Sequence, residues 1–172
     1  MSSTKSNTTL KNLTKASVLA ALIFLATAYL SIPMPVMGYV HLGDGLILLA
    51  AAILPVPYAV GAAIIGASFA DLMAGYALYI PATAIIKAVT ALLISSKTKK
   101  IICTRNLLAL IPAALVCAGG YYIYESIIYK SFASPLASVP FNLVQSVCGG
   151  VLFAVLGVLI DKNSGMSKIF KK

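Results

Sequence analysis

The chain has 172 residues, 60% hydrophobic and only 10% charged, with a mean hydropathy of +0.99. Soluble domains run about 25% charged, and a water-exposed fold of this size has no way to hide so much apolar surface. Thirteen Lys and Arg against four Asp and Glu give a net charge of +9, but the basic residues cluster between apolar stretches, as the positive-inside rule requires and a nucleic-acid groove does not.

In chain order, residues 1–12 read as a flexible, cytoplasmic N-terminal tail. The long polar lead and the lack of a small-residue cleavage site argue against a cleaved signal peptide. Six apolar stretches follow: Ala16 to Ile32, Val40 to Leu54, Tyr58 to Met73, Pro81 to Ile94, Leu107 to Ile128 and Val139 to Ile160. Proline punctuates them, at Pro33, Pro35, Pro55 and Pro57, by ending helices or sitting in a first turn. Residues 163–172 read as a basic cytoplasmic tail, leaving 13–162 as one transmembrane domain. No internal repeat is visible, which weighs against carriers built from inverted halves.

Stretches two and four fall short of the roughly 20 residues that a crossing needs, and charge decides the count. With six crossings, the clusters around Lys5, Lys11 and Lys15, around Lys97, Lys99, Lys100 and Arg105, and around Lys162, Lys168, Lys171 and Lys172 share one side. With five, the middle cluster moves to the other side. The positive-inside rule favours six, with both termini cytoplasmic. The expected fold is an all-α membrane protein, a compact bundle of six transmembrane helices.

Ionisable residues inside apolar stretches are costly and usually face a cavity or a partner. They are Asp71, Lys87 and Glu125, with His41 and Asp44 at the head of stretch two. All fall toward the outer side, Lys87 roughly 9 Å down its helix at 1.5 Å per residue. Tyr39, Tyr76, Tyr79 and Tyr121 share that half, as do Asn142 and Gln145, which lie three apart on one helix face. Convergence of polar and aromatic groups from several segments describes a binding pocket open to the outside. Plainer readings stand beside it. The tyrosines fit an interface belt, Lys87 and Asp71 fit an ion pair, Asp44 fits a helix N-cap, His41 fits a loop residue and Glu125 a solvated one.

No GxSxG, HExxH, Walker A or strand-linked GxGxxG is present. One histidine and three scattered cysteines (Cys103, Cys117 and Cys148) form no metal or disulfide pattern. No catalytic residue, metal or cofactor is expected, and without a nucleotide site the chain alone does not use ATP.

The run Val40-His41-Leu42-Gly43-Asp44 before an apolar helix resembles a segment of the substrate-binding (S) components of energy-coupling factor (ECF) transporters. So do Ala70-Asp71-Leu72, Gly75-Tyr76, Pro81-Ala82-Thr83 and Ile86-Lys87, in that order. The closest likeness is to the riboflavin- and hydroxymethylpyrimidine-type group. The resemblance implies a high-affinity vitamin binder of a prokaryotic plasma membrane. It implies docking on a transmembrane coupling protein and two cytoplasmic ATPases, and toppling in the bilayer to deliver the vitamin inward. It also implies that Ala16-x-x-x-Ala20 on the first helix is the docking face and that Pro33 to Val40 lids the pocket. The expected ligand is a pyridoxine- or hydroxymethylpyrimidine-like heterocycle first and riboflavin next, with cobalamin open. The expected contacts are Tyr39, His41, Asp44, Asp71, Tyr76, Tyr79, Lys87, Tyr121, Glu125, Asn142 and Gln145. The alternative is a structural or chaperone-like membrane bundle whose charges pair internally.

Overall fold

The computed structural model describes residues 2–34 and 38–170. Helix α1 (Ser2–Ala28) leads into a hairpin of β1 (Ser31–Pro33) and β2 (Tyr39–His41), followed by α2 (Gly43–Ile53), α3 (Val56–Met73) and α4 (Ile80–Leu93). After a short α5 (Thr104–Leu108) come α6 (Leu110–Ile128), α7 (Val139–Lys162) and the terminal α8 (Ser164–Phe170). Each apolar stretch of the sequence contains one main helix, but the first ends in β1, the second begins in β2 and the fifth begins in α5. Helix α1 reaches back to Ser2, through the segment that reads as a tail from the sequence.

Proline sets several of these boundaries. Leu54, just before Pro55, is extended (ψ 153°) and ends α2, because a residue preceding proline is pushed out of the helical region. Pro57, Pro81 and Pro140 occupy first turns of α3, α4 and α7, where no backbone N–H is needed. Pro112 accounts for the break between α5 and α6, since its ring clashes with the carbonyl four residues back, at Leu108.

Helix α2 lies at the centre, packed against α1, α3, α4 and α7. Every one of its residues except Leu46 is buried, and a helix apolar all round is a buried helix. The other long helices carry apolar stripes on their outer faces: Val18, Leu22 and Leu25 on α1, Ile65, Phe69 and Leu72 on α3, Val147, Val151 and Val155 on α7. Spacings of three and four residues put each stripe on one face, and apolar surface of this extent, turned outward, needs lipid as its solvent. Among the described residues, four helical segments (Ser6–Ala28, Val56–Met73, Thr104–Ile128 and Ser134–Lys162) are long and apolar enough to cross a membrane; Gly43–Ile53 and Ala77–Leu93 are apolar but shorter.

The two ends of the bundle differ. At one end Lys15 Nζ donates to the Ile169 carbonyl at 2.5 Å, and Asp161 accepts from the N–H groups of Ile101 and Ile102 at 2.9 Å each. These contacts tie the middle of α1 to α8 and the basic loop after α4 to the end of α7. Buried Asn106 pins the same loop through the Ser95 and Ile101 carbonyls. The hairpin, the end of α3, the start of α4, the end of α6 and the start of α7 form the opposite end.

Helix α3 closes there with paired bonds, Tyr76 N–H to the Asp71 carbonyl (2.8 Å) and Gly75 N–H to the Leu72 carbonyl (3.3 Å), around Gly75 at φ +82°. This Schellman closure demands a left-handed residue and sets Tyr76 beside Asp71. A Cβ at Gly75 would touch nothing within 4 Å, so Gly75→Ala tests backbone conformation alone. Thermal unfolding in detergent should show a loss of about 1 kcal/mol; no loss would mean that the turn is not held as described.

Candidate functional site

At the end remote from the basic clusters, Met34, Gly38, Tyr39, His41, Asp71, Tyr76, Tyr79, Thr83, Tyr121, Glu125, Asn142 and Gln145 line one cavity of about 30 Å³. That is room for roughly one water molecule, so a heterocycle enters only when the walls part. The hairpin forms one wall. Its register pairs Ser31 with His41, Ile32 with Val40 and Pro33 with Tyr39, and this presents the Tyr39 and His41 rings to the cavity. The short strands were not expected from the sequence. Pro35, Val36 and Met37 of the anticipated lid lie outside the described residues.

The rings form a chain. Tyr39 stands 5.5 Å from His41 and 5.3 Å from Tyr76, Tyr76 is edge-on to Tyr79 at 6.0 Å, and Tyr79 is 6.5 Å from Tyr121. These separations suit aromatic contact. The Tyr39 hydroxyl donates to Asp71 Oδ1 at 2.7 Å. Asp71 Oδ2 is buried with no hydrogen-bond partner, and so is Asn142 Nδ2. Thr83 lies close to Asp71, and its hydroxyl pairs with that of Tyr121 at 3.0 Å, either oxygen donating. Glu125 is not solvated: it is 3% exposed and accepts from Ser138 at 2.5 Å and, more weakly, from Tyr79 at 3.4 Å.

Two anticipated site residues, Asp44 and Lys87, do not line this cavity. They form a buried ion pair beneath it, Lys87 Nζ to Asp44 Oδ1 at 2.7 Å. Of the plainer readings, the Asp71–Lys87 ion pair gives way to Asp44–Lys87. Asp44 is also no N-cap: Leu42 holds that position, with no side-chain bond to the helix. Asp44 is also held from α7, across a close helix crossing. A Cβ on Gly45 would stand 2.7 Å from the Gly149 carbonyl, and one on Gly149 would stand 3.0 Å from the Asp44 Cβ. Two facing glycines let α2 and α7 approach, bringing Asp44 within 2.9 Å of Gln145 Nε2.

Gln145 links floor to wall. Its amide oxygen accepts the His41 backbone N–H at 3.1 Å while its nitrogen donates to Asp44. His41 is not a plain loop residue; it is buried, and its Nδ1 accepts the Gly43 N–H at 3.2 Å. An accepting Nδ1 carries no proton, so the ring is neutral. Cys117 touches both members of the ion pair, Asp44 at 3.8 Å and Lys87 at 3.9 Å. Lys87 also stands 5.3 Å from the Tyr121 ring centre, a favourable cation–π placement.

A second feature runs along the outside. Ala16, Ser17, Ala20 and Ala21 of α1 face Tyr58, Gly61, Ala62 and Ile65 of α3 across an open apolar groove of about 540 Å³. The Ala20 carbonyl would lie 2.6 Å from a Cβ on Gly66. Ala16 is buried, whereas Ser17 and Ala21 are exposed. Small residues thus serve both the α1–α3 crossing and the groove surface.

Residues 7–162 match the family model for the ECF-type riboflavin transporter S component. The chain belongs to this family. No curated protein matches it. As an S component it is a vitamin-binding membrane subunit of an ECF importer, not an enzyme. An S component is an integral plasma-membrane protein, and its family implies a vitamin as cargo and the ECF module as partner.

Proposed function

We propose that this S component captures riboflavin, or a closely related flat heterocycle, in the aromatic cavity and delivers it inward when docked on its ATPase-driven module. The observation that carries the reading is the pair of orphaned polar atoms. Asp71 Oδ2 is an acceptor and Asn142 Nδ2 a donor, both buried among tyrosine rings. Buried polar atoms without partners are rare and costly. A heterocyclic imide edge, with N–H beside C=O, satisfies one of each while its ring contacts Tyr39, Tyr76, Tyr79 and Tyr121. The same chemistry fits a hydroxymethylpyrimidine or pyridoxine less fully, since a smaller ring covers fewer of the four tyrosines; family membership also puts riboflavin first. A structural bundle with internally paired charges accounts for Asp44 and Lys87 but leaves Asp71 unexplained.

In this reading all six long helices cross the bilayer, the basic end and both termini are cytoplasmic, and the cavity faces outward. Helix α2, roughly 16 Å long at 1.5 Å per residue, crosses inside a sheath of other helices, and the hairpin caps it. Native mass spectrometry of the protein as purified is the test. A bound riboflavin-sized adduct is expected. If neither that adduct nor binding of any added B-group vitamin is seen, the assignment is wrong.

The groove between α1 and α3 is the proposed docking face for the coupling protein. Because Ala16 is buried against α3, enlarging it disturbs the bundle as well as the groove. Exposed Ala21 separates the two effects. In cells carrying the module, Ala21→Trp should reduce vitamin uptake at least about tenfold with binding by the purified protein unchanged. Parallel loss of both, or of neither, would contradict docking there.

A further inference from the structure

At the basic end, two details draw cations from separate segments together. Asp161, next to last in α7, accepts the Ile101 and Ile102 N–H groups. Gly157, one turn earlier on α7, leaves room for the same loop: a Cβ there would stand 2.6 Å from Ile102 Cδ1. The loop is thereby seated on the end of α7, with Lys100 one residue before the bonded pair and Lys162 one residue after Asp161. Lys97, Lys99, Lys100, Arg105 and Lys162 are all exposed. Asp161 is the one carboxylate set against them, and none of the five forms an ion pair among the described residues.

An apolar groove of about 550 Å³ runs between α6 and α7, deeper along the same helices. Ala114, Gly150 and Ala154 keep it open, and exposed Ile111, Leu115 and Val151 border it. Its stretch along α7, Leu143 to Ala154, is roughly 16 Å at 1.5 Å per residue. That is about half of the ~30 Å hydrocarbon core, the depth of one leaflet. Exposed Val155 and Leu159 carry the apolar face of α7 from the groove toward Lys162, at spacings of three and four residues that keep one face.

We infer that the α6–α7 groove and the basic mouth together bind one anionic phospholipid, an alkyl chain in the groove and the phosphate at the lysines. Both halves of the surface ask for their own half of such a molecule. Lysine ammoniums near the membrane surface attract anionic headgroups and donate charge-assisted hydrogen bonds to phosphate. An acidic protein segment would satisfy the lysines and leave the groove empty, and a neutral lipid would do the reverse. No residue lines both this groove and the one between α1 and α3, so the lipid stays in place with a partner on that other face. The inference does not depend on which vitamin is bound.

The test is native mass spectrometry of the delipidated full-length protein, titrated with dioleoyl phosphatidylglycerol or dioleoyl phosphatidylcholine. Phosphatidylglycerol should saturate at one per chain and bind at least about tenfold more tightly than phosphatidylcholine. Lys100→Gln combined with Lys162→Gln changes only exposed side chains and should cut that preference to within about threefold. Ala154→Phe, which fills the groove, should weaken phosphatidylglycerol at least about tenfold. Equal affinity for the two lipids, or binding that never saturates, overturns the inference, and so does a preference that survives the double lysine variant. Undiminished binding by Ala154→Phe, or displacement of the lipid by equimolar glycerol phosphate, also overturns it, since the headgroup alone is then recognised.

Discussion

Lys87→Met should destabilise the protein by about 3–5 kcal/mol and abolish vitamin binding. Lys87 is 1% exposed and its one ionic partner among the described residues is Asp44. Removing the cation strands a carboxylate in the centre of an apolar bundle, and breaking a buried pair from one side costs this much. The damage spreads along the bonds already described: Asp44 holds Gln145, and Gln145 holds the backbone of His41 in the hairpin. The cavity thus loses its floor and part of its wall. Replacing both charges together, as Asp44→Leu with Lys87→Met, should recover most of the lost stability, because an apolar pair of similar volume is often neutral. Denaturation in detergent with both variants decides the matter. A single variant as stable as the parent would mean that the pair does not hold the bundle.

Asp71→Ala should behave in the opposite way. Its Oδ2 has no partner, so removing it relieves a buried unsatisfied acceptor, at the cost of the Tyr39 hydrogen bond. The two effects are each about 1–2 kcal/mol and offset one another, leaving stability within about 1 kcal/mol of the parent. Affinity for the vitamin should fall about 100-fold, the worth of one hydrogen bond to a charged group. A residue kept for structure would show the reverse pattern, with stability lost and affinity kept. Parallel melts and binding isotherms on the one variant separate the two.

Much of this was legible in the sequence because lipid simplifies the code. In an apolar stretch each polar side chain stands out, and the cavity-lining residues Tyr39, His41, Asp71, Tyr76, Tyr79, Tyr121, Glu125, Asn142 and Gln145 announce themselves by type and by their place toward one end of the apolar stretches. Proline marks helix ends equally plainly. The pairing of charges was not legible, because it depends on how α2 packs against α4. The Asp44–Gln145 bond was not legible either, because the approach of α2 to α7 is set by Gly45 and Gly149, glycines which in sequence look like any others in a membrane helix. Thr83 is a lining residue that the sequence disguises, since threonine is common in apolar helices. The signal available was its place one turn before Lys87, on the same face of α4. Met34 and Gly38 enter the cavity only through the hairpin, whose three-residue strands are too short to show an alternating pattern.

The central claim is that the cavity remote from the basic end binds a flavin without help from the ATPases. Flavin emission lies far to the red of any protein fluorescence, and tyrosines stacked on the flavin should quench it. Titrating riboflavin with the purified protein in lipid nanodiscs, with no ATP and no partner subunits, measures this directly. Saturable quenching with one riboflavin per chain, weakened about 100-fold by Asp71→Ala, is the predicted result. Undiminished flavin emission at micromolar protein, or saturable quenching that Asp71→Ala leaves untouched, would contradict it.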